Sequence, residues 1–300
     1  MSEEFKRALT ENALAVEREL LSLYPETENP DIADVYGIEK YSLTAGGKRI
    51  RPFLVTAFCK AFSSDPEKDR PAALRLAAAV EMMHTFSLIH DDLPCMDNDD
   101  LRRGRPTSHV VFGEAQALLG GDSLSIRAFE TVMSAPMSDA ARCRAAYALA
   151  RAAGSDGMIG GQMADMRGEK EKLDFETLLT LHALKTGKMI VLSAELGCIA
   201  AGVPDGDPRL EAAKKYASRI GLAFQVIDDI LDATSSAEVL GKSTGKDEKS
   251  GKTTFLSFMT AERAHGYAAT LTAEAESALD GYEKCGLLKE FAGMLLERKK

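Results

Sequence analysis

Two aspartate-rich segments are the part of this sequence best suited to chemistry. DDLPCMDNDD occupies residues 91–100 and DDILD residues 228–232, and together they hold eight aspartates. Both follow apolar stretches, so their carboxylates cannot all lie on a freely solvated face. Two unit charges about 4 Å apart repel by roughly 4 kcal/mol at an effective dielectric near 20. Mg²⁺ prefers oxygen ligands, typically one or two carboxylates with water and substrate phosphate oxygens. The segments therefore predict a divalent-metal site rather than two acidic helix caps.

The spacing within each segment indicates how it is displayed. Asp228 and Asp232 lie four residues apart, which places both carboxylates on one face of a helix, with Gln225 on nearly the same stripe. Pro94 disfavours helix at the residue before it, so residues 97–100 are expected in a loop. The sequence alone does not show that the two acidic segments face each other; their shared chemistry suggests it.

Cationic segments accompany the acidic ones. They are GGKRIRP at 46–52, LRRGR at 101–105, KTGK at 185–188, GKS at 241–243 and GKT at 251–253. Backbone N–H groups with Lys and Arg form a natural phosphate cradle. LRRGR could equally compensate the charge of the neighbouring aspartates, and KTGK could be an ordinary helix C-terminus. GKS and GKT lack the first glycine of a nucleotide-binding loop. Several cationic groups beside metal-binding carboxylates and apolar helices predict a lipid-like diphosphate as substrate.

Composition narrows the class of protein. The chain has 300 residues, 45% of them hydrophobic, and a net charge of −9, which argues against nucleic acid as the main partner. Five cysteines without a CxxC motif favour reduced thiols and a cytoplasmic location. The apolar run at 189–203 carries Glu195 and is too short to span a membrane.

Helical periodicity dominates the chain and no series of alternating strands is evident, so we expect one all-α domain over residues 1–300, built around an apolar centre. Asp139 and Asp174 are expected helix N-caps, and Gly154 and Gly187 helix ends. The expected helices cover residues 2–23, 32–45, 52–63, 71–93, 122–134, 138–153, 156–168, 174–186, 188–202, 208–234, 258–281 and 286–297.

The ordered motifs carry a family resemblance. EMMHTFSLIHDDLPCMDNDDLRRGRPTSH at 81–109, with GGKRIRP, GGQ at 160–162, KTGK and FQVIDDILD, closely resembles the trans-type isoprenyl diphosphate synthases over about residues 40–260. Among these it is most similar to bacterial farnesyl diphosphate synthases. The resemblance implies the isoprenoid synthase fold, a helical bundle around a deep central cavity, and a homodimer. It implies a Mg²⁺-dependent prenyltransferase that joins isopentenyl diphosphate to dimethylallyl and geranyl diphosphate.

The resemblance also implies roles for individual residues. A trinuclear Mg²⁺ site would be held by Asp91, Asp92, Asp97, Asp228 and Asp232. The allylic diphosphate would be surrounded by Arg102, Lys185, Thr186, Gln225, Lys242 and Lys252. Isopentenyl diphosphate would be held by Gly47, Lys48, Arg51, His84 and Arg103. Catalysis would rest on the aspartates 91, 92, 97 and 228 with Lys185 and Arg102. Gln162 and Asp165 either line the cavity or belong to a kinked core helix, and the basic residues 298–300 could close over the site.

Product length is assigned to the residues before the first aspartate pair. An aromatic at Phe86 resembles the floor that stops chains at C15, with Ser87 leaving room beside it, which favours farnesyl diphosphate over geranylgeranyl diphosphate. A pure core role for Phe86 remains open. A terpene cyclase is disfavoured because Asp232 and Ser236 stand at the usual Ser/Thr and Glu positions of its second metal motif. A noncatalytic synthase subunit is disfavoured because the metal-binding set is retained.

Overall fold

A computed structural model describes residues 1–234 and 252–298, and it is all-α apart from one short hairpin. The helices are α1 Glu3–Ser22, α2 Pro30–Leu43, α3 Ile50–Phe62, α4 Pro66–Asp91, α5 Ser108–Phe112, α6 Glu114–Met133, α7 Asp139–Ala153, α8 Met158–Gly168, α9 Phe175–His182, α10 Lys188–Ala200, α11 Pro208–Thr234, α12 Ala261–Ala278 and α13 Gly286–Leu296. A π-helical turn, Ala183–Gly187, joins α9 to α10, and 3₁₀ turns span Phe255–Ser257 and Glu283–Cys285. The all-α prediction is confirmed.

Helices α4 and α10 form the centre of the bundle. Helix α4 packs against α3 and α6, and α10 packs against α3, α4, α7 and α11. The apolar residues of α4, from Ala72 to Ile89, are almost all buried, which is why this 26-residue helix carries so little polar surface. Its length and composition would suffice to cross a membrane, but 67% of its most apolar stretch is buried inside the protein, as in the core helix of a globular fold. The acidic end of α4 thus emerges from the middle of the core.

Several predicted boundaries were wrong. Helix α4 begins at Pro66 and contains Pro71, because Asp65 caps it five residues earlier than expected. Helix α6 begins at Glu114 rather than 122, and α5 was not predicted. Ser138, not Asp139, caps α7 by accepting a hydrogen bond from the Ala141 N–H. The caps at Asp174 and Gly154 are confirmed.

Two features around the acidic and basic motifs were also unforeseen. Leu101–Arg102 and Arg105–Pro106 form a two-residue antiparallel hairpin, closed by Arg103 and Gly104 with φ of 54° and 74°. Gly187 does not end a helix, because the π turn runs directly into α10.

Candidate active site

The first acidic segment folds back on the end of its own helix. Helix α4 ends at Asp91, and the Asp97 N–H donates to the Asp91 carbonyl at 2.9 Å. The Asp99 N–H donates to the Asp92 carbonyl at 3.2 Å. This compact turn confirms that residues 97–100 leave the helix, and it sets several carboxylates around the helix end.

The two acidic segments line one cavity of about 400 Å³, which we call the diphosphate compartment. Asp91, Asp97 and Asp99 stand on the α4 side, and Asp228, Asp229 and Asp232 on α11. Its cationic and amide lining consists of Arg102, Arg103, Lys185, Gln225 and Lys252. The opposition of the two segments, which the sequence only suggested, is therefore present in the structure.

An apolar compartment of about 510 Å³ adjoins it. Leu88, Asp91 and Lys185 line both spaces, so the two adjoin at the end of α4. The lining of the apolar compartment includes Arg51, His84, Phe86, Ser87, Gln162, Thr186 and the methionines 96, 158, 163 and 166. This volume lies within the range of about 300–1,000 Å³ typical of small-molecule sites. A charged head and a hydrocarbon tail could therefore occupy adjoining spaces.

Asp165 organises the cationic wall of the diphosphate compartment. Its carboxylate accepts hydrogen bonds from both Lys185 and Lys252, the latter at 2.8 Å. Gly161 allows α8 to approach the π turn, since a Cβ at that position would lie closer than 3.0 Å to the Lys185 backbone. Burial raises the pKa of Asp165, but the two ammonium groups more than offset this, so the pKa lies below its usual value. Of the two roles left open for Asp165, cavity lining is the one observed.

Asp92 takes a different position from the other aspartates assigned to metal. It is 4% exposed and accepts hydrogen bonds from Arg102 Nε at 2.8 and 2.9 Å. It faces a small cleft beside the hairpin and does not line the diphosphate compartment. The charge-compensating role of LRRGR thus occurs here, between Arg102 and Asp92.

Burial and neighbouring carboxylates disfavour the charged form of Asp91. Burial raises its pKa to about 6, and the nearby Asp97 raises it further while Lys185 and Arg102 oppose the shift. A cation placed between these carboxylates would relieve that cost. Within residues 1–234 and 252–298 no three His, Cys, Asp or Glu side chains already form a cation site, so phosphate oxygens and waters would have to complete the coordination. The donors present fit Mg²⁺ bound together with a diphosphate.

The GGKRIRP loop is held by a buried ion pair that sequence reasoning missed. Arg49, in a left-handed conformation with φ of 48°, donates to Glu81 and to the Leu43 carbonyl. Arg49 and Glu81 are 5% and 2% exposed. The sequence signal was Glu81 itself, a lone carboxylate in the apolar run of α4, because buried charges require partners.

The Arg49–Glu81 ion pair fixes the loop beside the apolar compartment. Arg51 and His84 line the apolar compartment, and burial with the positive charge of Arg51 and Arg103 holds the pKa of His84 well below its usual value. Gly47 lies against the Arg103 guanidinium, where a Cβ would be 2.6 Å from Cζ. Lys48 is exposed and lines neither compartment, and Lys242 lies outside the described residues.

Arg298, the first residue of the basic tail, reaches the second acidic segment. Its guanidinium pairs with the Asp228 carboxylate and lies over the Phe224 ring, 4.4 Å from the centroid. A cation therefore already sits at a carboxylate assigned to metal. Of the basic tail, residues 299 and 300 lie outside the described part of the chain.

Comparisons with known proteins agree on one family. The polyprenyl synthetase family model matches residues 33–281. Geranylgeranyl pyrophosphate synthase 3 of Arabidopsis thaliana is 47% identical over 250 residues, covering 81% of this chain and 68% of the relative. Farnesyl diphosphate synthase of Bacillus subtilis is 42% identical over 282 residues, covering 89% and 92%.

Solved structures agree with the fold. An FPP/GFPP synthase from Zymomonas mobilis superimposes with a TM-score of 0.88 at 36% identity, covering 98% of this chain and all of that one. A Helicobacter pylori geranyltransferase complexed with magnesium and isoprenyl diphosphate superimposes with a TM-score of 0.82 at 34% identity, covering 97% and 96%. The resemblance read from the motifs and the isoprenoid synthase fold are confirmed.

Proposed function

Because the chain belongs to the polyprenyl synthetase family and the relatives described above are short-chain trans-prenyltransferases, we propose that it makes farnesyl diphosphate. The substrates would be isopentenyl diphosphate and, in succession, dimethylallyl and geranyl diphosphate. The observation that carries the proposal is the joined pair of compartments, one polar and one apolar, that meet at Asp91 and Lys185. Such a space fits an allylic diphosphate with its head among the charges and its chain in the apolar part.

Mg²⁺ fits the donors on the two walls of the diphosphate compartment. Asp91 and Asp97 on one side, with Asp228 and Asp232 on the other, would hold up to three ions together with substrate phosphate oxygens. Bound there, the metal supplies neutralisation of the charge that develops on the leaving diphosphate. The ion pair between Asp92 and Arg102 favours a supporting role for Asp92, which would orient Arg102 beside that diphosphate.

The chain's own residues supply the rest of the chemistry. Lys185 and Lys252 offer ammonium groups to the leaving diphosphate, whose negative charge they stabilise as it develops. The methionine-rich lining of the apolar compartment would surround the allylic cation with apolar side chains and limit the access of water to it. His84 lines that compartment, but its lowered pKa makes it a poor base, so the released diphosphate is the proposed proton acceptor.

Arg51 favours a two-substrate synthase over a cyclase. This residue of GGKRIRP lines the apolar compartment, and its Nε atom is buried without a hydrogen-bond partner. A second diphosphate, on isopentenyl diphosphate, would satisfy such a donor at the side of the compartment where His84 also lies. A cyclase has one diphosphate to bind and no use for this second cationic loop.

Product length is the finer part of the proposal. Phe86 lines the apolar compartment and stands five residues before Asp91, about 7.5 Å back along the helix. Its ring would stop a C15 chain, whereas geranylgeranyl diphosphate is the alternative product, named for several relatives. Incubation with isopentenyl and dimethylallyl diphosphate, followed by chromatography of the dephosphorylated products, tests this directly. Farnesol from the wild type and a shift to C20 or longer from Phe86→Ala are expected; geranylgeraniol from the wild type contradicts the C15 assignment.

A homodimer is proposed on the basis of one exposed apolar face. Helices α5 and α6 expose the side chains of Val110, Val111, Leu118, Leu119, Ile126 and Met133. Leu119, Ile126 and Met133 recur every seven residues, which places them on one face of α6, and Ile126 alone is 70% exposed. Large exposed apolar patches are typical of protein interfaces. Sedimentation should report a dimer that Ile126→Asp weakens; a monomeric wild type would exclude it. We also propose a cytoplasmic location, supported by five free cysteines.

A further inference from the structure

The ring of His90 lines the apolar compartment next to Phe86. Both residues lie on α4, one turn apart, and both line that compartment. Their ring centroids are 4.9 Å apart with an interplanar angle of 75°, an edge-to-face arrangement. The imidazole therefore rests against the ring that is proposed to end the product chain.

The opposite side of the imidazole is fixed by α6. His90 Nε2 lies 3.0 Å from the Leu118 carbonyl oxygen and 3.6 Å from the Asp122 carboxylate. Because a carbonyl oxygen only accepts, Nε2 carries the proton and donates to Leu118. The imidazole is thus hydrogen-bonded to α6 while it contacts the ring of Phe86 on its own helix, α4.

Gly121 provides the space that the imidazole fills. A Cβ at position 121 would lie closer than 3.0 Å to the His90 ring. The neighbouring Gly120 faces elsewhere, because a Cβ there would meet Ile38 of α2. Both glycines are buried in α6, but only Gly121 leaves room for the His90 ring.

We propose that His90, whose ring packs against Gly121, is a positioning residue for product length. Its ring keeps the Phe86 side chain in the orientation that blocks the end of the apolar compartment. The inference rests on the proposed chain-elongating function. A phenyl side chain has staggered rotamers to choose from, and a floor that rotates under a growing chain would not stop it. The imidazole limits that freedom at the edge of the Phe86 ring that it contacts, since it is itself anchored to the α6 backbone.

The test uses the full-length enzyme with isopentenyl and dimethylallyl diphosphate and measures the distribution of product lengths. His90→Ala frees Phe86 and should raise the ratio of C20 to C15 products roughly tenfold, the size of effect expected when a pocket changes by about one small group. Gly121→Ala should act in the opposite direction. Its methyl group pushes the imidazole towards Phe86 and into the compartment, so C10 product accumulates.

Matched controls separate positioning from general disturbance. Gly120→Ala introduces a similar clash in the same helix, against Ile38, and should keep the C15 product whatever it does to the melting temperature. His265→Ala removes an exposed histidine of α12 and should change nothing. If His90→Ala does not fold, His90→Gln keeps an N–H donor for Leu118, loses the aromatic contact and should also lengthen the products.

The outcomes distinguish this inference from the function on which it rests. A wild type that makes no elongated product overturns the proposed function. Longer products from Phe86→Ala with wild-type lengths from the folded His90 variant overturn the inference alone. Since His90 acts through Phe86, the double variant should match Phe86→Ala; further lengthening in the double variant would show that His90 limits the chain by itself and would overturn the positioning role.

Discussion

Replacing Asp165 by Asn should destabilise the ligand-free protein and make it respond more strongly to diphosphate. The carboxylate is 4% exposed and pairs with two lysines whose side chains are 25% and 27% exposed. Hydrogen bonds to charged groups contribute about 1.5–3 kcal/mol each when buried. Because the lysines are partly solvated, screening reduces this, and we expect a total loss of about 2 kcal/mol. For a chain of this length such a loss lowers the melting temperature by roughly 3 °C.

The same substitution tests whether the lysines exchange partners. In the wild type, diphosphate must compete with the Asp165 carboxylate for Lys185 and Lys252, whereas Asp165→Asn removes the negative charge of that competitor. Saturating inorganic pyrophosphate should therefore raise the melting temperature of Asp165→Asn more than that of the wild type. The difference in melting temperature between the two proteins should become smaller.

The exposed pair between Asp156 and Arg151 supplies a control. Asp156→Asn should cost under about 1 kcal/mol and leave the response to pyrophosphate unchanged. If the melting temperatures of the wild type and Asp165→Asn differ by the same amount with and without pyrophosphate, the lysines do not exchange Asp165 for the ligand.

Three further predictions follow from the buried and cationic groups. Arg49→Ala leaves Glu81 without its ion-pair partner and should cost about 3–5 kcal/mol of unfolding free energy, whereas a loss below about 1 kcal/mol in urea melts would contradict a structural role. Lys48→Ala should raise the KM for isopentenyl diphosphate more than that for geranyl diphosphate; equal effects would remove it from the isopentenyl site. Burial lowers the pKa of His182 to about 4, so the unfolded chain binds the extra proton between pH 4 and 6.5 and stability must fall as the pH drops through that window, by up to about 3 kcal/mol. His182→Gln should flatten that pH dependence, and an unchanged slope would show that other groups, such as the buried His84, carry it.

Local patterns were enough to predict the helical fold and the acidic face of α11. Helical periodicity and the spacing of Asp228 and Asp232 depend on neighbours in sequence, which is why those predictions hold. The predicted start of α4 at residue 71 was wrong because the cap at Asp65 begins the helix at Pro66, and Pro71 lies inside its second turn.

Contacts between distant segments were the part that sequence could not provide. The pairing of Asp165 with Lys185 and Lys252 depends on how closely α8 approaches the π turn, and nothing in the local sequence specifies that distance. The π turn itself inserts one residue into a helical pattern and changes the direction of the KTGK side chains. Asp92 shares the acidic motif of Asp91, yet its environment differs because the hairpin brings Arg102 against it.

The central claim is that prenyl transfer depends on divalent metal held by carboxylates on opposite walls of one cavity. The most direct measurement is single-turnover condensation of geranyl diphosphate with labelled isopentenyl diphosphate, with Mg²⁺ and with excess chelator, for the wild type and for folded Asp228→Asn. The account predicts labelled farnesyl diphosphate from the wild type with Mg²⁺ only, and a rate lower by orders of magnitude from the variant. Full turnover in chelator, or a wild-type rate from Asp228→Asn, would contradict it.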